Sequence, residues 1–170
     1  VQYEGNVKWT TTSVTPASAP NRNPDAPADV EYRLELQQHD VAVDQAFVRL
    51  STEENVSAGF AFGEDMSKEF NKNRSNIYTF IGKEQVAGNC LPMSEQTTVV
   101  PVGVIAKTTG DYTFAIPERT NGVGVTLIDN ETGIRTPLSA LDYTVNLTAG
   151  TYNERFVLEI SPIHHMPTGI

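Results

Sequence analysis

Apolar and polar residues alternate along most of this chain. In LDYTVNLTAGTYNERFVLEIS, residues 141–161, Tyr143, Val145 and Leu147 share one side of an extended chain, opposite Asp142, Thr144 and Asn146. Further on, Phe156, Leu158 and Ile160 oppose Arg155, Val157 and Glu159. Successive strand side chains point to opposite faces, so the segment reads as two strands with one buried face. Gly150 and Asn153 tolerate the positive φ of a short hairpin loop. The spacing predicts a β-hairpin lying on a hydrophobic core.

The same alternation recurs upstream. Tyr32, Leu34 and Leu36 alternate with Glu31, Arg33 and Glu35, and 45–51 and 57–63 are the next two candidate strands. Residues 64–75 are polar and read as a loop or one short helical turn. Strands follow at 77–82, at 99–106 with Pro101 at an edge or bulge, at 111–117 with Tyr112, Phe114 and Ile116 on one face, and at 123–129, which leads through the turn NETG into Ile134. No 3.6-residue periodicity is sustained and no internal repeat is evident. About nine short strands separated by turn residues predict an all-β domain over 30–161, an antiparallel β-sandwich of jelly-roll-like or immunoglobulin-like topology. Residues 1–9, VQYEGNVKW, read as an edge strand or the end of a preceding unit. Residues 10–29 carry four prolines among Thr, Ser, Ala and Asn and read as a loop or linker. Residues 162–170 read as a C-terminal connector.

Composition narrows the partners. Hydrophobic residues make up 39% of the 170, enough for a core, and a net charge of −9 argues against nucleic acid. The single cysteine, Cys90, excludes an intrachain disulfide and a cysteine-cluster metal site. No apolar run reaches the roughly 18 residues that a membrane span needs. The first residues lack signal-peptide character, which fits a cytoplasmic chain or a trimmed, mature fragment.

Candidate chemistry is sparse, and no catalytic or cofactor-binding residue is expected. His164 and His165 read as tail, and His39 as a surface loop residue. The adjacent acids Glu53–Glu54 and Glu64–Asp65 read as solvated loops. DNETG, 129–133, has oxygen ligands at short spacing but lacks the alternating acids of a calcium loop. No metal site is expected, and Asp129, Glu131 and Asp65 are the candidates if a cation binds. Cys90 reads as a buried or half-buried small residue. Trp9 and Tyr152 are the aromatics that a sugar-binding platform would use. Asparagine sequons begin at Asn55, Asn73, Asn130 and Asn146.

The order of motifs resembles a known module. YRLEL at 32–36, Asp44 with Val48 and Leu50, Asp65 with Lys68, IYTFIGKEQVAGNCLP with Asn89 and Pro92, VPVGVIAKTTGDYTFAI, and the ending at 125–161 follow one another as in a β-sandwich of Bacteroidetes secreted and cell-surface proteins. Where that family carries GFD, this chain has GFAFGED. The resemblance implies a module just before a type IX secretion sorting domain, facing outward at the cell surface, beside other domains of its parent protein. It implies no reaction. The expected function is a non-catalytic structural or adhesion-type module that meets a glycan or surface protein. The alternative is a carbohydrate-binding module, supported by calcium.

Overall fold

Backbone polar groups that enter a core must be paired, and a chain without helical periodicity can pair them only in strand ladders. The computed structural model describes residues 29–118 and 123–162. The expectations for residues 1–28 and 163–170, including Trp9, His164 and His165, lie outside the described residues.

Eleven strands follow in order: β1 (Val30–Gln38), β2 (Val41–Ser51), β3 (Met66–Ser67), β4 (Asn76–Ile81), β5 (Glu84–Pro92), β6 (Thr98–Ala106), β7 (Gly110–Ala115), β8 (Val123–Asp129), β9 (Ile134–Pro137), β10 (Tyr143–Leu147) and β11 (Gly150–Pro162). No helix occurs among the described residues, so none there is long and apolar enough to cross a membrane. The strands form one sheet in the order β10-β7-β1-β2-β5-β4-β6-β11-β8-β9, with β3 added to β5.

The alternation read from the sequence is the alternation that is buried. Tyr32, Leu34 and Leu36, Tyr112 and Phe114, and Phe156, Leu158 and Ile160 all point into one core. The rings of Phe114 on β7 and Phe156 on β11 lie 4.7 Å apart although five strands separate β7 from β11 in the sheet. The sheet therefore curls around its own apolar face and is barrel-like. Each fully buried large side chain contributes roughly 1.5–3 kcal/mol.

Several expectations need correction. Residues 141–161 are not a hairpin. β10 pairs with β7 and β11 with β6 and β8, so the chain crosses from one part of the curled sheet to another at Thr148–Ala149. Neither Gly150 nor Asn153 has positive φ. The two-residue hairpin turn lies instead at His39–Asp40, with φ of 53° and 60°, where Gln38 pairs with Val41. Both residues in the left-handed region are what a type I′ turn requires.

Residues 57–63 contain no strand, only an isolated bridge between Phe62 and Asp65. Amides of this segment bond to nearby side chains: Ser57 to Glu64, Gly59 to Ser57 and Ala61 to Asp65. Such local bonds compete with a ladder. β2 and β5 run parallel, so the sheet is mixed rather than wholly antiparallel. Pro101 is tolerated because β6's pairing with β4 ends at Val102, one residue away.

A repeat is present after all. Thr108-x-Gly110-x-Tyr112 and Thr148-x-Gly150-x-Tyr152 span the β6–β7 and β10–β11 connections. In each, the tyrosine hydroxyl donates to the threonine carbonyl four residues back at 2.7 Å. The two connections touch through the Ala149 amide, which donates to Thr109 Oγ1 at 3.0 Å. They are twin arches, side by side at one end of the sheet.

Candidate functional site

Asp129 closes β8 and is fully buried. Its carboxylate accepts two bonds from Arg155, at 2.9 and 2.8 Å, one from the Tyr143 hydroxyl at 2.7 Å, and the amides of Glu131 and Thr132 at 3.0 and 3.4 Å. Arg155 reaches it because β11 shifts register between Tyr152 and Phe156. The carbonyls exposed by that irregularity are met by Asn130, whose amide donates to Arg155 O and whose side chain donates to Glu154 O. Burial pushes the Asp129 carboxyl up, but the bonds from Arg155, Tyr143 and the Glu131 amide outweigh burial and hold it at about 2. Burial and the bond to Asp129 push the Tyr143 hydroxyl up. Arg155 also pairs with the exposed Glu131 at 2.7 Å.

The structure thus brings the candidate cation ligands Asp129 and Glu131 together, but around a guanidinium. Five donors leave the Asp129 carboxylate little capacity for a metal. Chemically the cluster is a fastener, joining β8 and β11 to β10 across the curl.

Asp65, read as solvated, is buried. It accepts the Cys90 amide at 2.8 Å and the Ala61 amide at 2.8 Å, fixing the 57–65 loop to β5. Asp44 takes the Ile77 amide at 2.7 Å and the ammonium of the buried Lys68. Asp29, at the start of the domain, accepts the Thr52 amide and hydroxyl and pairs with Arg49. The Thr52 amide first, then Arg49, hold its carboxyl well below the usual range. Cys90 is buried, and burial pushes its thiol up, away from reactivity. Asn89 is buried with only its amide nitrogen bonded, to Thr79 at 3.3 Å. Among the described residues no three His, Cys, Asp or Glu side chains are arranged to hold a metal ion. Tyr152 is half-buried with its hydroxyl on Thr148 and is no exposed platform. The four sequon asparagines are all exposed.

One feature escaped the sequence reading. A cleft of about 270 Å³ opens where the β1–β2 turn, the loop at 71–75 and the β6–β7 arch converge. Arg74 and Lys107 line it, with Val41 and Val43 on one wall. The two cations lie 33 positions apart, so no local pattern joins them; the available signal was NKNRS, the one basic cluster in an acidic chain.

These observations define an all-β domain on one curled mixed sheet, with its buried carboxylates bonded to its own chain. Residues 30–160 match a family described as a domain of unknown function, DUF8693, and the chain belongs to that family. No curated protein and no solved structure matches it.

Proposed function

We propose that the protein is a non-catalytic structural or adhesion-type module of a secreted or surface-exposed bacterial protein. The observation that carries this is Asp129: the best-placed candidate acid accepts five hydrogen bonds from its own chain and joins separate strands. Asp65 and Asp44 are likewise bonded to their own chain, Asp65 by the Ala61 and Cys90 amides and Asp44 by the Ile77 amide and Lys68. A poised acid or nucleophile needs free valence toward a substrate. The motif order resembling Bacteroidetes modules that precede a type IX sorting domain supports an outward-facing place at the outer membrane, with other domains of the parent as neighbours. We further read the curled sheet as a two-layer sandwich, β10-β7-β1-β2-β5 against β4-β6-β11-β8-β9, which the packing of Phe114 on Phe156 supports.

The test is turnover and metal dependence. Purified protein should show no hydrolysis on polysaccharide, ester and peptide panels, and a chelator should leave its melting temperature unchanged. Hydrolysis that disappears in Glu131→Gln or Asp65→Asn overturns the proposal, as does a chelator-induced drop of several degrees.

The second reading, a carbohydrate-binding module, is favoured by the cleft at Arg74 and Lys107. Its calcium-supported form is disfavoured, because Arg155 occupies the space between Asp129 and Glu131.

A further inference from the structure

We propose that the cleft beside Arg74 and Lys107 binds the carboxylate of an acidic saccharide, a uronate unit seated against Val41 and Val43. The inference rests on the carbohydrate-binding reading above.

Charge is the first support. In this chain of net charge −9, Arg33, Arg49, Lys68, Arg135 and Arg155 each meet a carboxylate. Arg74 and Lys107 meet none among the described residues, and no acidic side chain lines the cleft. Asp40, in the neighbouring turn, is outside the lining. Both cations line the same cleft, and Lys107 Nζ is tied to the loop that presents Arg74 by donating to the backbone carbonyl of Lys72 at 2.9 Å. Grouped like charges repel, and a bound anion reverses the sign of that term.

Rigidity is the second. Loop 71–75 is braced by the buried Asn76, whose side chain accepts the Asn71 amide at 2.8 Å and donates to the carbonyls of Asn71 and Arg74 at 2.9 Å each. Ser75 Oγ takes the Lys107 amide at 2.9 Å and meets the buried Tyr112 hydroxyl at 3.0 Å. The two cations are therefore presented by elements already fixed to each other, so binding has little backbone left to order.

Shape and chemistry of the walls identify the ligand class. A guanidinium fork matches a planar carboxylate in two parallel bonds. Val41 is 64% exposed and offers an apolar lip to the C–H face of a sugar ring. Asn73 and Thr108, also in the lining, supply amide and hydroxyl groups for ring hydroxyls. A lone inorganic anion would use the cations and leave the lip unused.

The experiment is calorimetric titration of the full chain at low ionic strength with tetragalacturonate and with its methyl ester. The expected result is saturable binding of the acid, weakened about tenfold or more in the ester, in Arg74→Ala and in Lys107→Gln. Lys83→Ala removes an exposed lysine in the β4–β5 turn and should leave binding unchanged. Melting temperatures of the variants establish that each is folded. Absence of binding at millimolar concentration overturns the site while leaving the non-catalytic proposal standing. Equal binding of acid and ester, or equal weakening by Lys83→Ala, also overturns it, as does an acidic peptide that binds as tightly as the saccharide.

Discussion

Two connections of two residues each, His39–Asp40 and Thr148–Ala149, do opposite things. The first reverses the chain between paired neighbours, Gln38 and Val41. The second separates strands that never pair: Leu147 lies against Gly110 on β7 and Gly150 against Ala106 on β6. Backbone sign separates them locally, since φ is positive at both His39 and Asp40 and at neither Thr148 nor Ala149. Tertiary partners separate them further. The arch holds its polar groups with Tyr152 on Thr148 O and Thr109 on the Ala149 amide, and its twin at 107–109 does likewise through Tyr112. Connection length alone, then, does not distinguish a hairpin from an arch.

The largest expected effect tests what the arches span. Phe156→Ala removes the β11 ring that meets Phe114 on β7, and should cost about 3–5 kcal/mol in denaturant melts. A loss under about 1 kcal/mol would mean that the curl is not held by that contact.

Acid comes next. The Asp129 carboxyl, at about 2 in the folded protein against an ordinary 3.8, lies below its unfolded value. Its contribution, roughly 2 kcal/mol, is fully present above about pH 4 and is lost as pH falls toward 2. Because Tyr143 is one of its donors, amide exchange in β10 should rise before exchange in the β1–β2 hairpin over that window. Simultaneous loss in both would show that the fastener does not act on the arch strand.

Removing the arch hydroxyls shows whether the twins are equally tight. Tyr112→Phe leaves the buried Ser75 hydroxyl with the Lys107 amide alone and takes the tyrosine hydroxyl from the Thr108 carbonyl, and should cost about 1–2 kcal/mol. Tyr152→Phe, at the more exposed arch, should cost less than about 1 kcal/mol. The reverse order in thermal melts would make the second arch the tighter one.

The smallest effects carry opposite signs. Asp40→Gly relieves a left-handed conformation and should leave stability unchanged or raise it by up to about 1 kcal/mol. Ala149→Gly has no positive φ to relieve and should lower stability by about 0.5–1 kcal/mol through unfolded-chain entropy. Equal signs would refute the distinction drawn from φ.

Much of the fold was legible in the alternation. Leu34, Leu36, Phe114, Phe156 and Leu158 were placed on inward faces by period alone, and they are inward. β5 was missed because EQVAGNCLP has no clean alternation: Asn89, on one face, bonds Thr79, while Gly88 and Cys90, on the other, lie under Met66 and Asp65. The candidate acids were legible as residues but not as roles. Asp129 in DNETG looks like turn chemistry until Arg155 and Tyr143, 26 and 14 positions away, converge on it.

Legible from the residues were the all-β class, the side of most strands that faces the core, and the turn of the chain at NETG between β8 and β9. Those are local properties, set by a two-residue period and by the φ that each turn residue accepts. Only the folded chain settles that β10 and β11 part company, that β2 and β5 run parallel, and that Arg74 and Lys107 line one cleft. The physical reason is that an isolated strand leaves donors and acceptors along both edges, and any strand of matching face can fill them. Which one does is settled by the closing of the core around Phe114 and Phe156, a contact 42 residues apart that no local pattern encodes.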